Sequence, residues 1–439
     1  MKKPELISPA GTLEKLKIAF EFGADAVYAG VPDFSMRARI NEFTYGKMAQ
    51  GVKYAHERGK KIYATINIYA HNKHIKKIEN AIKKYADIGV DALVISDPGI
   101  LKIARKAAPK MTIHLSTQAN CTNYEAAKFW YEQGVKRIVL AREVSLKEIT
   151  EIHTKIPKIE LECFVHGAMC MAYSGRCILS KWLTERSANL GECAQPCRWE
   201  YELVIGESGC RDKALPCSAS SGIKENGGIL EEDQHGTYIF NSKDLCLIEH
   251  LDKLYKAGVT SFKIEGRTKS AYYAAVTAKL YREGIDKIPL VPFKKGGKRM
   301  YALPKGWKKE IQKIRNRGYT TGFLFGEEKC EHNFERSHEE CKWQFAGEVI
   351  KSSKFKVQSL KLWKEAVFVK AHNALYVRDE IEFVASRGEN IKMKIKKMYD
   401  AKNLKEIKEA HGGQGQAVII PVEFDIPVMS MVRRKVIRM

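Results

Sequence analysis

The 439-residue sequence contains no run of about 18 or more uninterrupted apolar residues, which argues against a membrane-spanning helix. Its opening, MKKPELISPAG, is basic but lacks an apolar stretch behind the charges, so no secretory signal is expected and a cytoplasmic location is. Three catalytic signatures are also missing: H-E-x-x-H for a zinc protease, G-x-S-x-G for an exposed serine nucleophile, and the G-x-x-x-x-G-K-[ST] phosphate loop. No C-x-x-C occurs, which counts against dithiol redox chemistry. Acidic residues are in deficit, 52 Asp and Glu against 75 Lys and Arg, for a formal charge of +23. Such an excess favours polyanions, nucleic acid above all, although a Lys-rich surface also serves solubility.

Cysteine is present in a telling arrangement. The cytosol keeps thiols reduced, so a disulfide framework is not expected. Cys163, Cys170, Cys177, Cys193 and Cys197 nevertheless fall within 35 residues, where an even spread would place about one. The last four form C-x6-C-x15-C-x3-C, a full set of thiolates for a tetrahedral zinc ion or an iron-sulfur cluster. The tight C-x2-C knuckles usual for zinc are absent, and the looser spacing suits a cluster ligated from several backbone segments. Unligated cysteines are the third reading. Cys246, in NSKDLCLIEH, could replace one of the four. A radical-SAM arrangement would need a third cysteine where Glu200 stands. A nucleophilic cysteine served by His166 is a further alternative, and Cys210, Cys217, Cys330 and Cys341 receive no role.

Short β-branched runs alternate with amphipathic segments over the first 270 residues: ELISPAG, AVYAGV, KIYATINI, ALVISD, TIHLSTQ, RIVLARE, LECFVHG and SFKIEG. Eight strand-helix units predict a TIM-like (β/α)8 barrel over 1–290. Ser8, Asn67, Ser96, Gln118, Arg142, Glu143, His166 and Glu265 all fall at or just past the C-terminal ends of these runs, the face where such barrels carry chemistry. The seventh and eighth runs are separated by far more chain than a crossover needs, which defines a cysteine-rich insertion over 168–260 with a possible extra strand at TYIFNSKDL. A basic linker, 291–344, contains Lys308 and Lys309 with aromatic residues interleaved. From 345 to 439, six short strand-like runs punctuated by turn residues predict a small all-β barrel domain. Its GGQGQA only superficially resembles a dinucleotide fingerprint.

The stretch ELECFVHGAMCMAYSGRC follows E-x-F-x2-G-[SA]-[LIVM]-C-x4-G-[RK]-C on Glu162, Phe164, Gly167, Ala168, Met169, Cys170, Gly175, Arg176 and Cys177. With PELISPAG, FSMRAR, FNSKDL, KIEGRTKS and NRGYTTGF in order, nearly the whole chain resembles the collagenase-like peptidase family U-32, and its full-length form with a β-rich tail is similar to the tRNA-hydroxylating branch. That resemblance implies prephenate-dependent, oxygen-independent hydroxylation of the tRNA wobble uridine to 5-hydroxyuridine. It also implies a 4Fe-4S cluster on Cys170, Cys177 and Cys193, with Cys197 or Cys246 as the fourth ligand. Within that reading, Arg142 and Arg267 with Arg37 and Arg39 are candidates for the anionic co-substrate, and Glu265 for acid/base work. Gln118 and His166 would contact substrate, and Lys308 and Lys309 the phosphates of a tRNA anticodon loop. The family's older label makes peptide-bond cleavage the alternative. A homo-oligomer or an accessory protein stays open.

Overall fold

The computed structural model describes residues 2–35, 42–199, 241–289, 301–303, 305–326, 331–333, 336–353 and 365–436. Arg37, Arg39, Cys210, Cys217, Cys330 and the first part of the basic linker lie outside the described residues.

Strands β1 (Glu5–Pro9), β2 (Ala26–Ala29), β3 (Lys61–Ile66), β4 (Ala92–Ile95), β5 (Ile113–Leu115), β6 (Arg137–Val139) and β7 (Glu160–Ala168) pair in parallel, each with the next. β8 (Asp244–Cys246) stands outside this ring, and β9 (Val259–Ile264) closes it by pairing in parallel with both β7 and β1. The eight-stranded closed barrel expected from the alternating runs is therefore present. Helices α1 (Leu13–Glu21), α2 (Tyr45–His56), α3 (Ile75–Ile88), α4 (Pro98–Ala107), α5 (Tyr124–Glu132) and α6 (Leu146–Lys155) follow the first six strands. Their starts are encoded locally. Thr12, Thr44, Asp97, Asn123 and Ser145 each accept a first-turn backbone N–H, and Ser145 with Glu148 makes a full capping box. In α3 the buried Ile78, Ala81, Ile82 and Tyr85 recur at helical spacing and form the face laid on the barrel.

The barrel interior is filled by charge as well as hydrocarbon. Glu162 accepts from Lys263 at 2.7 Å and from Arg137 at 3.4 Å, while Arg137 also binds Glu5 and Glu160, each at 2.7 Å. Tyr63 donates to Glu5 at 2.8 Å. Burial opposes ionisation of Glu5, but Arg137 and Lys61 outweigh it and hold this carboxyl below the usual range. The network plugs the barrel below its C-terminal mouth.

Strand β7 spans nine residues, and its last three pair antiparallel with β8, His166 doing so while still paired with β9. In the expected extra-strand region the observed strand is Asp244–Cys246, and the residues before 241 lie outside the described ones. β8 pairs in parallel with β10 (Tyr319–Thr320). The short α7 (Leu179–Thr184) lies in the insertion, and α8 (Leu251–Lys256) leads into β9, which is followed by α9 (Ala271–Asp286).

The tail is all-β, as its short runs predict. Strands β11 (Trp343–Ser353), β12 (Glu365–Ala371), β14 (Glu380–Val384), β15 (Ile391–Lys394), β16 (Met398–Asp400), β17 (Glu406–Ile407), β19 (Ala417–Val422) and β20 (Met431–Lys435) form one antiparallel sheet. β13 (Leu375–Tyr376) and β18 (Glu409–Ala410) make a separate pair. Register shifts along β11 bend the strand so that it pairs with both β12 and β20. The sheet folds over a core that includes Val349, Val369, Phe383, Ile420 and Val432; its end strands β15 and β17 are joined by no ladder among the described residues.

Arg433 joins this sheet to the barrel. It is 0% exposed and donates to Glu382 at 2.8 Å, to the Tyr272 hydroxyl on α9 at 2.9 Å and to Glu310, on α10 (Trp307–Ile311), at 2.6 Å. Lys313 binds the same two carboxylates, at 2.6 and 2.9 Å. Val384 and Met431 of the tail belong to the barrel's own hydrophobic cluster. Arg433→Met is expected to lower unfolding stability by about 3 kcal/mol in urea titration, because Glu382 and Glu310 lose their shared cation. A loss under about 1 kcal/mol would show that Lys313 alone neutralises them.

Candidate active site

The barrel mouth is lined by residues that the strand ends deliver from opposite walls. Arg267, just past β9, is buried and donates to Thr65 at 3.1 Å and also to Ser35, while its guanidinium carbon lies 5.5 Å from the centre of the Tyr28 ring. Two hydroxyls and an aromatic face hold the cation in place. Across the mouth, Arg142 lies 3.9 Å from the Phe164 ring centre and pairs with Glu265 at 3.5 Å. Asn67 donates to Ser116 at 3.3 Å, and Ser116 in turn bonds the Gln118 side chain. Gln118, Arg142, Glu265 and Arg267 therefore all belong to the strand-end face. Ser35, Thr65 and Tyr28 were not singled out from sequence, because small hydroxyls on separate strands carry no spacing signal.

Gly167 is needed where β7 leaves the barrel. Its φ of +110° is in the left-handed region, and a Cβ there would collide with the Glu265 carbonyl and crowd the Tyr273 hydroxyl. The close approach lets Tyr273 donate to the Glu265 carbonyl at 2.7 Å and Glu265 N–H bond the His166 carbonyl at 2.8 Å.

His166 has a different setting from the substrate-facing one expected. It is 1% exposed, its Nδ1 is 3.3 Å from the Tyr281 hydroxyl, and the rings of Tyr273, Tyr281 and Tyr319 surround it. Burial lowers its pKa to about 4, so the ring is neutral near pH 7. Its cross-strand neighbour Cys246 accepts from Tyr281 at 3.8 Å, and burial pushes that thiol up to about 11. Thiol and imidazole both stay neutral, which disfavours a cysteine-histidine nucleophile here. Cys163 is buried in the core, and burial raises its thiol further still.

The cysteine loop is built onto the mouth. Ser174, between Cys170 and Cys177, donates from its hydroxyl and its backbone N–H to Glu143, at 2.7 and 3.0 Å, and its Oγ accepts from Arg142 N at 3.1 Å. Asn189 accepts from Cys177 N at 3.2 Å, and Ser180 on α7 accepts from Ala194 N at 2.9 Å, which ties the second cysteine pair to the first. Beneath the loop, Arg317 is 2% exposed, donates to Asp244 at 2.7 and 3.0 Å and reaches the Met169 carbonyl at 3.5 Å. Burial works against the Asp244 charge, but Arg317 prevails and holds this carboxyl below its ordinary value.

Cys170 is exposed, and Cys177, Cys193 and Cys197 are part-buried; all four are free thiols. Burial raises the Cys197 thiol, Arg198 opposes that rise, and the charges of Cys170 and Cys193 add to it. Cys170 and Cys193 act on Cys197, with Arg198 and Arg317 alongside, and the thiols are a soft donor set; among the described residues no three of their sulfurs lie within 4.8 Å of one another, a wider spacing than a single zinc ion holds its ligands at. Cys246 lies in the tyrosine cage instead. Lys308 and Lys309 are exposed on α10, where Lys308 pairs with Glu249 at 3.5 Å.

The insertion also presents bare aromatic surface. Tyr173 is 75% exposed and Trp182 77%, and Ile178 and Trp199 are likewise exposed. Tyr69, exposed at the end of β3, is tied to the insertion by a 2.9 Å bond from its N–H to the Asn189 carbonyl. Arg176, Lys181 and Lys73 are exposed in the same loops.

Residues 11–334 match the model of peptidase family U32, and residues 342–433 match that of the peptidase family U32 C-terminal domain. The tRNA hydroxylation protein P of Escherichia coli (strain K12) is 40% identical over 97% of this chain and 95% of its own length. The protein of the same name from Haemophilus influenzae is 39% identical over 97% and 94%. A protein named collagenase from Porphyromonas gingivalis is 32% identical over 74% of each chain. Motif, barrel and tail agree with both family models, and the chain belongs to peptidase family U32.

Proposed function

We propose that this protein hydroxylates the wobble uridine of tRNA to 5-hydroxyuridine, with prephenate as co-substrate and a 4Fe-4S cluster held by Cys170, Cys177, Cys193 and Cys197. One observation carries this reading. Arg142 links the two halves of the site, since its backbone N–H holds Ser174 in the cysteine loop while its guanidinium pairs with Glu265 at the mouth. The tRNA part is supported by relatives of that name along nearly the full chain.

Replacing the uracil C5–H by C5–OH removes two electrons and requires an oxygen source; the mouth side chains named above supply neither, so prephenate would supply both, a C–OH of the co-substrate being reduced to C–H as the uracil C–H becomes C–OH. A cluster on the four cysteines would supply redox or Lewis-acid chemistry beside the mouth. The chain's own residues do the rest. Arg267, fixed by Ser35 and Thr65, and Arg142 offer guanidinium groups to the carboxylates of prephenate. Gln118 offers an amide to the polar edge of a flipped uracil. Glu265, paired with Arg142, is placed to take a proton from the reacting base. Tyr173 and Trp182 provide faces for unstacked loop bases, and Arg176 and Lys181 sit beside them for phosphate. We assign Cys197 rather than Cys246 as the fourth ligand, because the Cys197 thiol senses Cys170 and Cys193 while Cys246 is buried as a neutral thiol against Tyr281.

Three variants test the assignment. Cys170→Ala is expected to lose iron and sulfide and to stop 5-hydroxyuridine formation, measured by nucleoside mass spectrometry, with tRNA affinity within about twofold; normal product would sink the cluster role. Arg267→Lys is expected to raise the KM for prephenate by about tenfold to a hundredfold, given the worth of a hydrogen bond to a charged group; an unchanged KM would remove Arg267 from the anion site. Trp182→Ala is expected to weaken tRNA binding about tenfold, the worth of one stacked base, and equal affinity would place the RNA elsewhere.

A further inference from the structure

The two domains meet a second time away from the Arg433 network. Glu14 in the first turn of α1, Glu348 on β11 and His372 just past β12 each place a ligand atom within 4.8 Å of the others. Among the described residues no other trio of His, Cys, Asp or Glu converges in this way. Glu348 is 6% exposed, and its buried Oε2 has no hydrogen-bond partner. The buried Nε2 of His372 has none either. Two orphaned ligand atoms, on β11 and just past β12, face a carboxylate from the other domain, and each is desolvated without a hydrogen bond of its own. Lys370 stands 3.8 Å from Glu14, but its side chain reaches solvent and can turn away.

The backbone holds this geometry. His372 N–H donates to the Ala346 carbonyl at 2.8 Å, and the rings of His372 and Phe345 lie 5.0 Å apart. Gly412 lies so close to the His372 carbonyl that any Cβ would overlap it, which gives the GGQGQA segment a structural reason for its glycine. Register shifts in β11 on either side of Glu348 set the direction of that strand.

We propose that Glu14, Glu348 and His372 bind a divalent transition-metal ion that ties the barrel to the C-terminal sheet. Two carboxylate oxygens and one imidazole nitrogen suit Zn2+ or Mn2+, with water completing the coordination. The ion satisfies both orphaned atoms and neutralises the carboxylate pair. Since Glu14 comes from one domain and the other two ligands from the second, binding couples domain docking to metal occupancy.

The test is a Mn2+ titration of the full-length protein, followed by the electron paramagnetic resonance signal of the free ion. Mn2+ is chosen because it prefers oxygen and imidazole ligands and competes poorly for the cysteine thiolates. One ion per chain is expected, with at least tenfold weaker binding in Glu348→Gln and His372→Gln and a Mn2+-dependent rise in Tm in the unsubstituted protein only. Glu14→Gln, at an exposed position that spares the fold, is expected to weaken binding as much. Absent saturable binding, or equal affinity in the unsubstituted protein and in Glu14→Gln, overturns the proposal and leaves a shared proton between the carboxylates as the occupant of the gap.

Discussion

The cysteine-bearing insertion is braced against the segment that follows the barrel by a buried ion pair, Arg317 with Asp244. A guanidinium and a carboxylate sealed from water forfeit several kcal/mol of hydration each, so such a pair persists only where its geometry satisfies nearly every donor. Here Arg317 uses two nitrogens on Asp244, one on Asn241 and a contact to the Met169 carbonyl. Met169 immediately precedes Cys170, so the pair sets the level at which the first thiol leaves β7. The short β8 and β10 flank the pair and have too few ladder bonds to hold their register without it.

Charge inside the barrel follows the same logic. Glu162 is shared by Lys263 and Arg137, and the plug they form makes the C-terminal mouth the accessible end for chemistry. Above the plug, at the mouth, Arg267 meets hydroxyls and an aromatic face, which orient its guanidinium. His166, one layer behind, is kept neutral by its tyrosine cage, so it supports the wall between β7 and α9 while the cationic work falls to the arginines.

The C-terminal sheet is joined to the barrel by a fully buried arginine and shared apolar residues, so the two domains behave as one packed unit at this contact. Residues of α1, α9 and α10 meet the sheet, from Glu14 and Tyr272 near the helix starts to Glu21 and Lys279 further along.

Local pattern made much of this legible. Apolar, β-branched runs of six to eight residues ended by polar groups mark the eight barrel strands, and capping residues mark the helix starts, because both signals depend on neighbours in sequence. The six longer tail strands were readable for the same reason. The two-residue strands β10, β13 and β18 have no periodicity to read and exist only because a partner strand is already in place. The cysteine cluster was visible as an excess over chance, Arg142 and Glu265 as polar residues at strand ends, and Arg267 through the family resemblance. Arg317 was not, because Asp244 lies 73 positions away and a charged pair at that separation leaves no pattern. Nor could sequence tell that His166 is enclosed, since its cage comes from Tyr273, Tyr281 and Tyr319, more than 100 residues on. The sequence by itself determined the barrel, the all-β tail and the identity of the thiols, since these rest on local periodicity and composition. Which charges are paired, which stay open to a ligand and which side chains lose water was decided only by the tertiary structure, because desolvation and Coulomb energy depend on distance in space rather than along the chain.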